Sequence, residues 1–308
     1  MRLLIYRADG NTAPWLRDFK EALPQCEVVT WTGGAVSPCD YALVWGPPLE
    51  LITQLAAVKA IFVAGAGVDA LLKFGDALPA VPLVRLGDAG MGVQMAEYVL
   101  HAVLRYFRRF DEYDSQARDG VWEPLPLVPK DEFAIGVMGT GALGARVLDA
   151  LGHFGFPLRG WSRTEKTISG VRCFTGAGQL DAFLAGTRVL VCMLPLTPET
   201  SNLLDRALLE KLPRGAYIIN VARGALVAEP DLLALIRSGH IAGATLDVFR
   251  NEPLPAPHPF WGEPRISITP HISALTVRAD SVRQIAHKIN ALERGDAIAD
   301  VVDRSLGY

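Results

Sequence analysis

Phe133-Ala-Ile-Gly-Val-Met-Gly-Thr-Gly-Ala-Leu-Gly144 decides the architecture. Its first half, Phe133 to Met138, is the short apolar run that a buried strand needs. Gly139-Thr-Gly-Ala-Leu-Gly144 follows at once and opens a helical segment that continues through Ala145, Val147 and Leu151. Strand, glycine-rich turn and helix in that order make a phosphate-binding turn. The glycines let backbone approach a pyrophosphate, and the helix N-terminus offers free amides and the positive end of its dipole. Gly139, Gly141, Ala142, Leu143 and Gly144 are the candidate contacts.

Downstream of the turn, Leu158 to Trp161, Val189 to Leu194, Ala216 to Val221, Ala244 to Val248 and Ile266 to Thr269 read as further strands with helical segments between them. That is a doubly wound parallel sheet. Upstream, Leu3 to Tyr6, Val28 to Trp31, Tyr41 to Trp45, Ile61 to Ala64 and Leu83 to Leu86 alternate with helix-like segments such as Trp15 to Ala22 and Leu49 to Ala57, which predicts a second helix-covered sheet. Met95, Val99, Val103 and Phe107 recur every four residues and predict a helix from Gly92 to about Phe110.

Residues 111 to 130 break this pattern, and the Pro-rich Trp122-Glu-Pro-Leu-Pro-Leu-Val-Pro129 reads as an arm or docking loop. The helical spacing of Val282, Ile285, Ile289 and Leu292 ends at Gly295, so this last segment is expected to cross back to the first domain. The expected fold is α/β: a Rossmann-type dinucleotide domain, residues 99–272, inserted in a flavodoxin-like substrate domain of residues 1–98 and 273–308, with the active site in the cleft.

At 308 residues the chain exceeds what one hydrophobic core usually serves. A net charge of -3 gives no global attraction to nucleic acid or to an anionic membrane, and the cluster Arg105, Arg108 and Arg109 reads as a solvated or interface helix face. No apolar run approaches the ~20 residues that span a bilayer, and the start reads as a short strand, not an export leader. Cys26, Cys39, Cys173 and Cys192 are far apart with no CxxC spacing, the pattern of reduced structural thiols with no metal site. A cytoplasmic protein is expected.

The strand after the phosphate turn ends Gly160-Trp161-Ser162-Arg163-Thr164, where an NAD-specific site would offer a carboxylate to the ribose. A guanidinium between two hydroxyls, with Lys166 following, suits a 2'-phosphate instead. NADPH is therefore the expected cofactor, with NADH weaker; Glu165 keeps NAD in play. Leu194, Pro195, Val221, Ala222 and Asp247, at or just past strand ends, complete the candidate cofactor set.

Hydride transfer to a 2-oxo acid needs a cation for the carboxylate, a proton donor for the alkoxide and a group that holds the donor's charge. Arg223, in Asn220-Val-Ala-Arg-Gly-Ala225, follows a predicted strand and can fork two donors onto a carboxylate and a carbonyl. Glu252 lies in the loop after Asp247, and His271 follows another strand in Thr269-Pro-His-Ile-Ser273. His101, His153 and His287 sit in helical stretches, His240 in a turn and His258 in a Pro-rich loop, so only His271 has positional grounds for acid work.

With these segments, Tyr41-Ala-Leu-Val-Trp-Gly-Pro-Pro48, Gly65-Ala-Gly-Val-Asp69, Met91-Gly-Val-Gln-Met-Ala-Glu-Tyr98, Trp122-Glu-Pro-Leu-Pro126 and the terminal Gly307-Tyr308, nearly the whole chain resembles the D-isomer-specific 2-hydroxyacid dehydrogenase family, and within it the bacterial branch that reduces glyoxylate and hydroxypyruvate. The resemblance implies that Arg223 binds and polarises substrate, His271 is the acid/base, Glu252 orients and charges it, and Asp247 faces the nicotinamide amide. It also implies that backbone amides of Gly65-Ala66-Gly67 hold the substrate carboxylate and that the arm embraces a partner in a homodimer through residues 92–130. Trp45 is a candidate to crowd the pocket mouth in favour of small 2-oxo acids, while Gly46 stands where this branch is expected to carry a bulkier residue.

Two rivals remain at this level. One is an NAD-linked D-2-hydroxyacid dehydrogenase of lactate or glycerate type, against which Arg163 speaks. The other is a nucleotide-sensing binding protein on the same fold, against which the intact Arg223, Glu252 and His271 speak.

Overall fold

Five parallel strands form the first sheet: Arg2–Arg7 (β1), Glu27–Thr30 (β2), Tyr41–Trp45 (β3), Ala60–Val63 (β4) and Leu83–Val84 (β5), in the order β2-β1-β3-β4-β5. This is the flavodoxin-type order, with a switch point between β1 and β3. Strand β4 is buried at every position and β3 at all but Trp45, because helices cover both faces of a parallel sheet and leave no alternation. The computed structural model describes all 308 residues and divides them into two units, Met1–Met91 with Thr276–Tyr308 and Gly92–Leu275.

The returning segment of the first unit is the helix Arg278–Glu293, which buries Val282, Ile285 and Ile289 and packs beside the helix Ala13–Ala22. Past it, Val302 donates its N–H to the carbonyl of Leu83 at 2.8 Å, and Val301 bridges Val84. The chain end thereby covers the short edge strand β5, which would otherwise present unpaired backbone.

The second unit carries seven parallel strands: Ile135–Met138 (β6), Leu158–Ser162 (β7), Val171–Thr175 (β8), Val189–Cys192 (β9), Ala216–Asn220 (β10), Ile241–Leu246 (β11) and Ile266–Ile268 (β12). Their order, β12-β11-β10-β9-β6-β7-β8, is the Rossmann order with one added edge strand. The helix Met91–Phe107 lays Met95, Val99 and Val103 into the same apolar cluster as Ile135, Val137 and Val189. Tyr106 stacks on Tyr217 with ring centroids 4.4 Å apart and donates its hydroxyl to the carbonyl of Gly215 at 2.6 Å.

Several sequence expectations need correction. The boundaries fall at Met91/Gly92 and Leu275/Thr276, not at 98 and 273, because Met95, on the N-terminal side of 98, packs with Val99 and Val103 into the second unit's apolar cluster. That helix ends at Phe107, and the acidic residues after it form a second helix, Phe110–Asp119, entered through Arg109 in the left-handed region at φ +58°. It buries nothing, so it carried no apolar periodicity to detect. Strand β8 was not anticipated: it is an edge strand on which only Phe174 is buried. The helix expected over Leu49 to Ala57 is the single turn Leu49–Ile52. The arm of residues 121–130 has no helix or strand, and its Trp122 is fully exposed. No helix is long and apolar enough to cross a membrane.

Candidate active site

Strand β6 delivers the glycine turn, and each glycine there answers a different constraint. Gly139 has φ +107°, and a Cβ on it would stand 2.6 Å from the carbonyl oxygen of Met193; a Cβ on Gly144 would stand 2.0 Å from the oxygen of Gly139. Both are locked by close backbone approach. A Cβ on Gly141 would meet nothing within 4 Å, so the turn is open on that side. Gly141 caps the helix Ala142–Gly152 without a side chain on its first amides, and the buried Thr140 Oγ1 has no hydrogen-bond partner in the protein. Open backbone, uncapped amides and an unsatisfied hydroxyl fit a dinucleotide pyrophosphate.

At the end of β7, Ser162 donates its hydroxyl to the carbonyl of Thr164 at 2.7 Å and accepts the N–H of Gly176 on its own carbonyl at 3.0 Å. This leaves Arg163, Thr164 and Lys166 exposed on the turn. Glu199, in the loop after β9, has its carboxyl held below the usual range first by the Thr197 hydroxyl and, less strongly, by the Arg163 charge. It is an acidic neighbour of Arg163 that spacing did not reveal. Leu194 and Pro195 follow β9, where the Pro195 carbonyl accepts the Thr200 hydroxyl at 2.8 Å.

Strands β10, β11 and β12 are adjacent and parallel, so Arg223, Glu252 and His271 all emerge from one sheet edge. Asn220, fully buried at the end of β10, shapes the first of these loops: its Oδ1 accepts the N–H of Ala222 at 3.1 Å and its Nδ2 donates to the carbonyl of Arg223 at 2.9 Å. Val221, next to it, is buried against the second unit's core. A Cβ on Gly224 would lie 1.9 Å from the carbonyl carbon of Phe249, so only glycine lets the Arg223 turn press on the loop after β11. Arg250 stitches the same contact, with Nη2 donating to the carbonyls of Ala225 and Val227 and to Asn202. Asn220, Gly224 and Arg250 were missed in the sequence; a buried amide ending an apolar strand was the readable signal.

His271 and Glu252 are brought into contact: imidazole Nδ1 lies 2.8 Å from Glu252 Oε2, while Glu252 Oε1 accepts the N–H of Phe249 at 2.9 Å. The two side chains are 45% and 36% exposed, and ion pairs that open to solvent contribute only about 0–1 kcal/mol to folding. The contact therefore adds little to stability, and its geometric effect is to fix the plane and tautomer of the ring. Nδ1 is committed to the carboxylate, which leaves Nε2 on the far side of the ring.

Asp247, fully buried at the end of β11, anchors the histidine loop. The N–H of His271 goes to its carbonyl at 2.8 Å, that of Ile272 to Oδ1 at 2.8 Å and that of Ser273 to Oδ2 at 2.7 Å. Three consecutive amides therefore end on one residue. They hold His271 at φ +57°, a left-handed conformation that costs a residue with a Cβ about 1–2 kcal/mol.

In the first unit, Trp45 closes β3 and lies against the turn Gly65-Ala66-Gly67 that follows β4. A Cβ on Gly65 would stand 2.6 Å from Trp45 Cζ3. Gly46 has φ +59°, and a Cβ there would be 3.0 Å from that of Ala8, which is why a bulkier residue is absent from this position.

Comparison with known proteins agrees with this geometry. The family model of the D-isomer specific 2-hydroxyacid dehydrogenase NAD binding domain matches residues 100–273. A glyoxylate/hydroxypyruvate reductase A from Salmonella enteritidis PT4 is 46% identical over 313 residues, covering 100% of both chains. The chain belongs to the D-isomer specific 2-hydroxyacid dehydrogenase family. Among solved structures, a D-isomer specific 2-hydroxyacid dehydrogenase from Xanthobacter autotrophicus Py2, in complex with NADPH and MES, matches with a TM-score of 0.95 at 41% identity, over 100% of this chain and 99% of the other. An NADPH-dependent glyoxylate/hydroxypyruvate reductase from Sinorhizobium meliloti, with NADP and sulfate, matches with a TM-score of 0.91 at 34% identity and the same coverage. Family membership thus extends over both units and not only over the matched dinucleotide domain.

Proposed function

We propose that this dehydrogenase reduces small 2-oxo acids, glyoxylate and hydroxypyruvate, to the 2-hydroxy acids glycolate and D-glycerate with NADPH. The observation that carries the reading is the His271–Glu252 pair at 2.8 Å on the sheet edge that also bears Arg223. Full-length similarity to reductases of that name supports it.

Bound NADPH supplies the hydride from its nicotinamide ring. Gly139, Gly141, Ala142, Leu143 and Gly144 would receive its pyrophosphate, Ser162, Arg163, Thr164 and Lys166 its 2'-phosphate, and Leu194, Pro195, Val221, Ala222 and Asp247 its nicotinamide half. Arg223 forks its guanidinium onto the substrate's carboxylate and carbonyl oxygen, drawing charge toward that oxygen. His271 gives its Nε2 proton to the oxygen as it becomes an alkoxide, and Glu252 stabilises the imidazolium before transfer and fixes its ring. In the first unit, the Gly65-Ala66-Gly67 turn and Trp45 are assigned to the substrate.

The same reading assigns a homodimer to residues 92–130. Trp122 is fully exposed and Leu127 is 89% exposed, and bulky apolar groups concentrated on one arm mark an interaction surface. A cytoplasmic setting accords with four unpaired cysteines. Initial rates with NADPH and NADH across glyoxylate, hydroxypyruvate, pyruvate and phenylpyruvate test the function. NADPH-dependent turnover of the first two is expected, and its absence overturns the reading. Light scattering at micromolar concentration tests the dimer, which a monomer mass refutes.

A further inference from the structure

Gln94 and Tyr98 lie four residues apart on the helix Met91–Phe107, so one helix face presents both. Both bond to the segment that carries His271. The Gln94 amide donates from Nε2 to the carbonyl of Leu275 at 2.9 Å and accepts the N–H of Leu275 on Oε1 at 3.2 Å. At the other end of the segment, the Tyr98 hydroxyl lies 2.5 Å from Thr269 Oγ1, and Thr269 Oγ1 lies 2.6 Å from Asp247 Oδ1.

The direction of this chain follows from its last member. Asp247 Oδ1 accepts the Thr269 hydroxyl as it accepts the N–H of Ile272, and a hydroxyl has one proton to give, which leaves the threonine oxygen to accept and Tyr98 to donate. Hydrogen bonds in series polarise one another, and each in this row strengthens the acceptor end. That end is the carboxylate which receives the amides of Ile272 and Ser273. Burial pushes the Tyr98 hydroxyl up to about 12, so it remains a neutral donor across any working pH and relays no proton.

We propose that Tyr98 and Thr269 are positioning residues for His271: their hydroxyls, in series onto Asp247, keep the loop in the left-handed conformation that presents the imidazole to Glu252, while Gln94 pins the loop's far end. This rests on His271 being the acid of the proposed reaction. Nothing in the arrangement requires the cofactor.

Two substitutions at one position separate the hydroxyl from its bulk. Thr269→Val keeps the shape and deletes the donor; Thr269→Ser keeps the donor and deletes a methyl group. If the hydroxyl chain positions His271, Thr269→Val lowers kcat for glyoxylate by ~10- to 100-fold, the range expected for an ångström-scale displacement of a catalytic group. The KM for NADPH stays unchanged, and Thr269→Ser keeps most of the wild-type rate. Tyr98→Phe falls between them. Equal losses in both threonine variants, or a Thr269→Val enzyme as fast as wild type, would assign the residue to packing and overturn the proposal; so would a loss expressed only in the NADPH KM.

A second readout stands apart from turnover. The His271 ring resonance in histidine-labelled protein, identified by its disappearance in His271→Gln, is expected to shift in Thr269→Val and to stay in place in Thr269→Ser. If wild type reduces no 2-oxo acid, the functional reading fails while this spectrum still judges the positioning. If the resonance is the same in all three proteins, the positioning fails while the function stands.

Discussion

The indole of Trp45 occupies the space that a side chain on Gly65 would need, with Cζ3 only 2.6 Å from the position of a Cβ there. Gly65→Ala must therefore displace either the ring or the turn that carries Ala66 and Gly67. We expect this variant to raise the KM for glyoxylate by ~10-fold or more through misplaced contacts. The double variant Trp45→Ala, Gly65→Ala removes the collision and should regain part of the loss. Steady-state kinetics of the three proteins check this, and a wild-type KM in Gly65→Ala separates the turn from substrate binding.

Arg223→Ala and His271→Ala should each lower turnover at least ~100-fold, the usual loss for a charge-stabilising group or an acid. Glu252→Gln keeps the shape of the 2.8 Å contact but exchanges a charged acceptor for a neutral one, a weaker hold on the ring. Turnover of glyoxylate should fall by ~10-fold or more in that variant, while the KM for NADPH stays in place. An unchanged kcat would remove Glu252 from the orienting role.

NADPH should be preferred to NADH, with Arg163 supplying much of the preference. A guanidinium on the 2'-phosphate makes a charge-assisted contact of about 1.5 to 3 kcal/mol, roughly 10- to 150-fold in affinity. Glu199 beside it offsets some of this gain. The comparison is kcat/KM with each cofactor for wild type and Arg163→Ala; an equal loss with both means that Arg163 does not read the phosphate.

Alkaline pH should destabilise the protein through its tyrosines. Burial holds Tyr41, Tyr98, Tyr106 and Tyr217 above their ordinary value. The folded chain binds these protons more tightly than the unfolded one. The stability they add is therefore complete below the ordinary tyrosine value of about 10 and is lost as pH rises toward about 12. Tyrosinate absorbance of the folded chain near pH ~11 should stay below that of the unfolded chain at the same pH. Tyr98→Phe should flatten the fall of the thermal midpoint between pH 9 and 11.5. Equal absorbance of the folded and unfolded chains would show these hydroxyls to be wet.

Most strands and the positions of Arg223, Glu252 and His271 were legible in the sequence because buried parallel strands write themselves as apolar runs and doubly wound sheets gather their loops at one edge. Strand β8 and the helix Phe110–Asp119 were not, since neither buries an apolar row. The supporting groups were also hidden. Tyr98 and Thr269 make contacts between residues far apart in the chain, and their spacing carries no period; Asn220 bonds only within its own turn, where it reads as one more polar residue at a strand end. Gly224 looks like any turn glycine until the backbone of Phe249 is seen against it.

The open side of Gly141 has a practical consequence. Collisions with neighbouring backbone forbid a methyl group at Gly139 and Gly144, but at Gly141 the only thing it would strike is a guest molecule. Gly141→Ala should yield a cofactor-blind twin that melts at the same temperature as the native protein when both are empty. Adding NADPH should raise the native melting point by mass action and leave the twin where it was, so that any response shared by the two proteins comes from somewhere other than the dinucleotide turn.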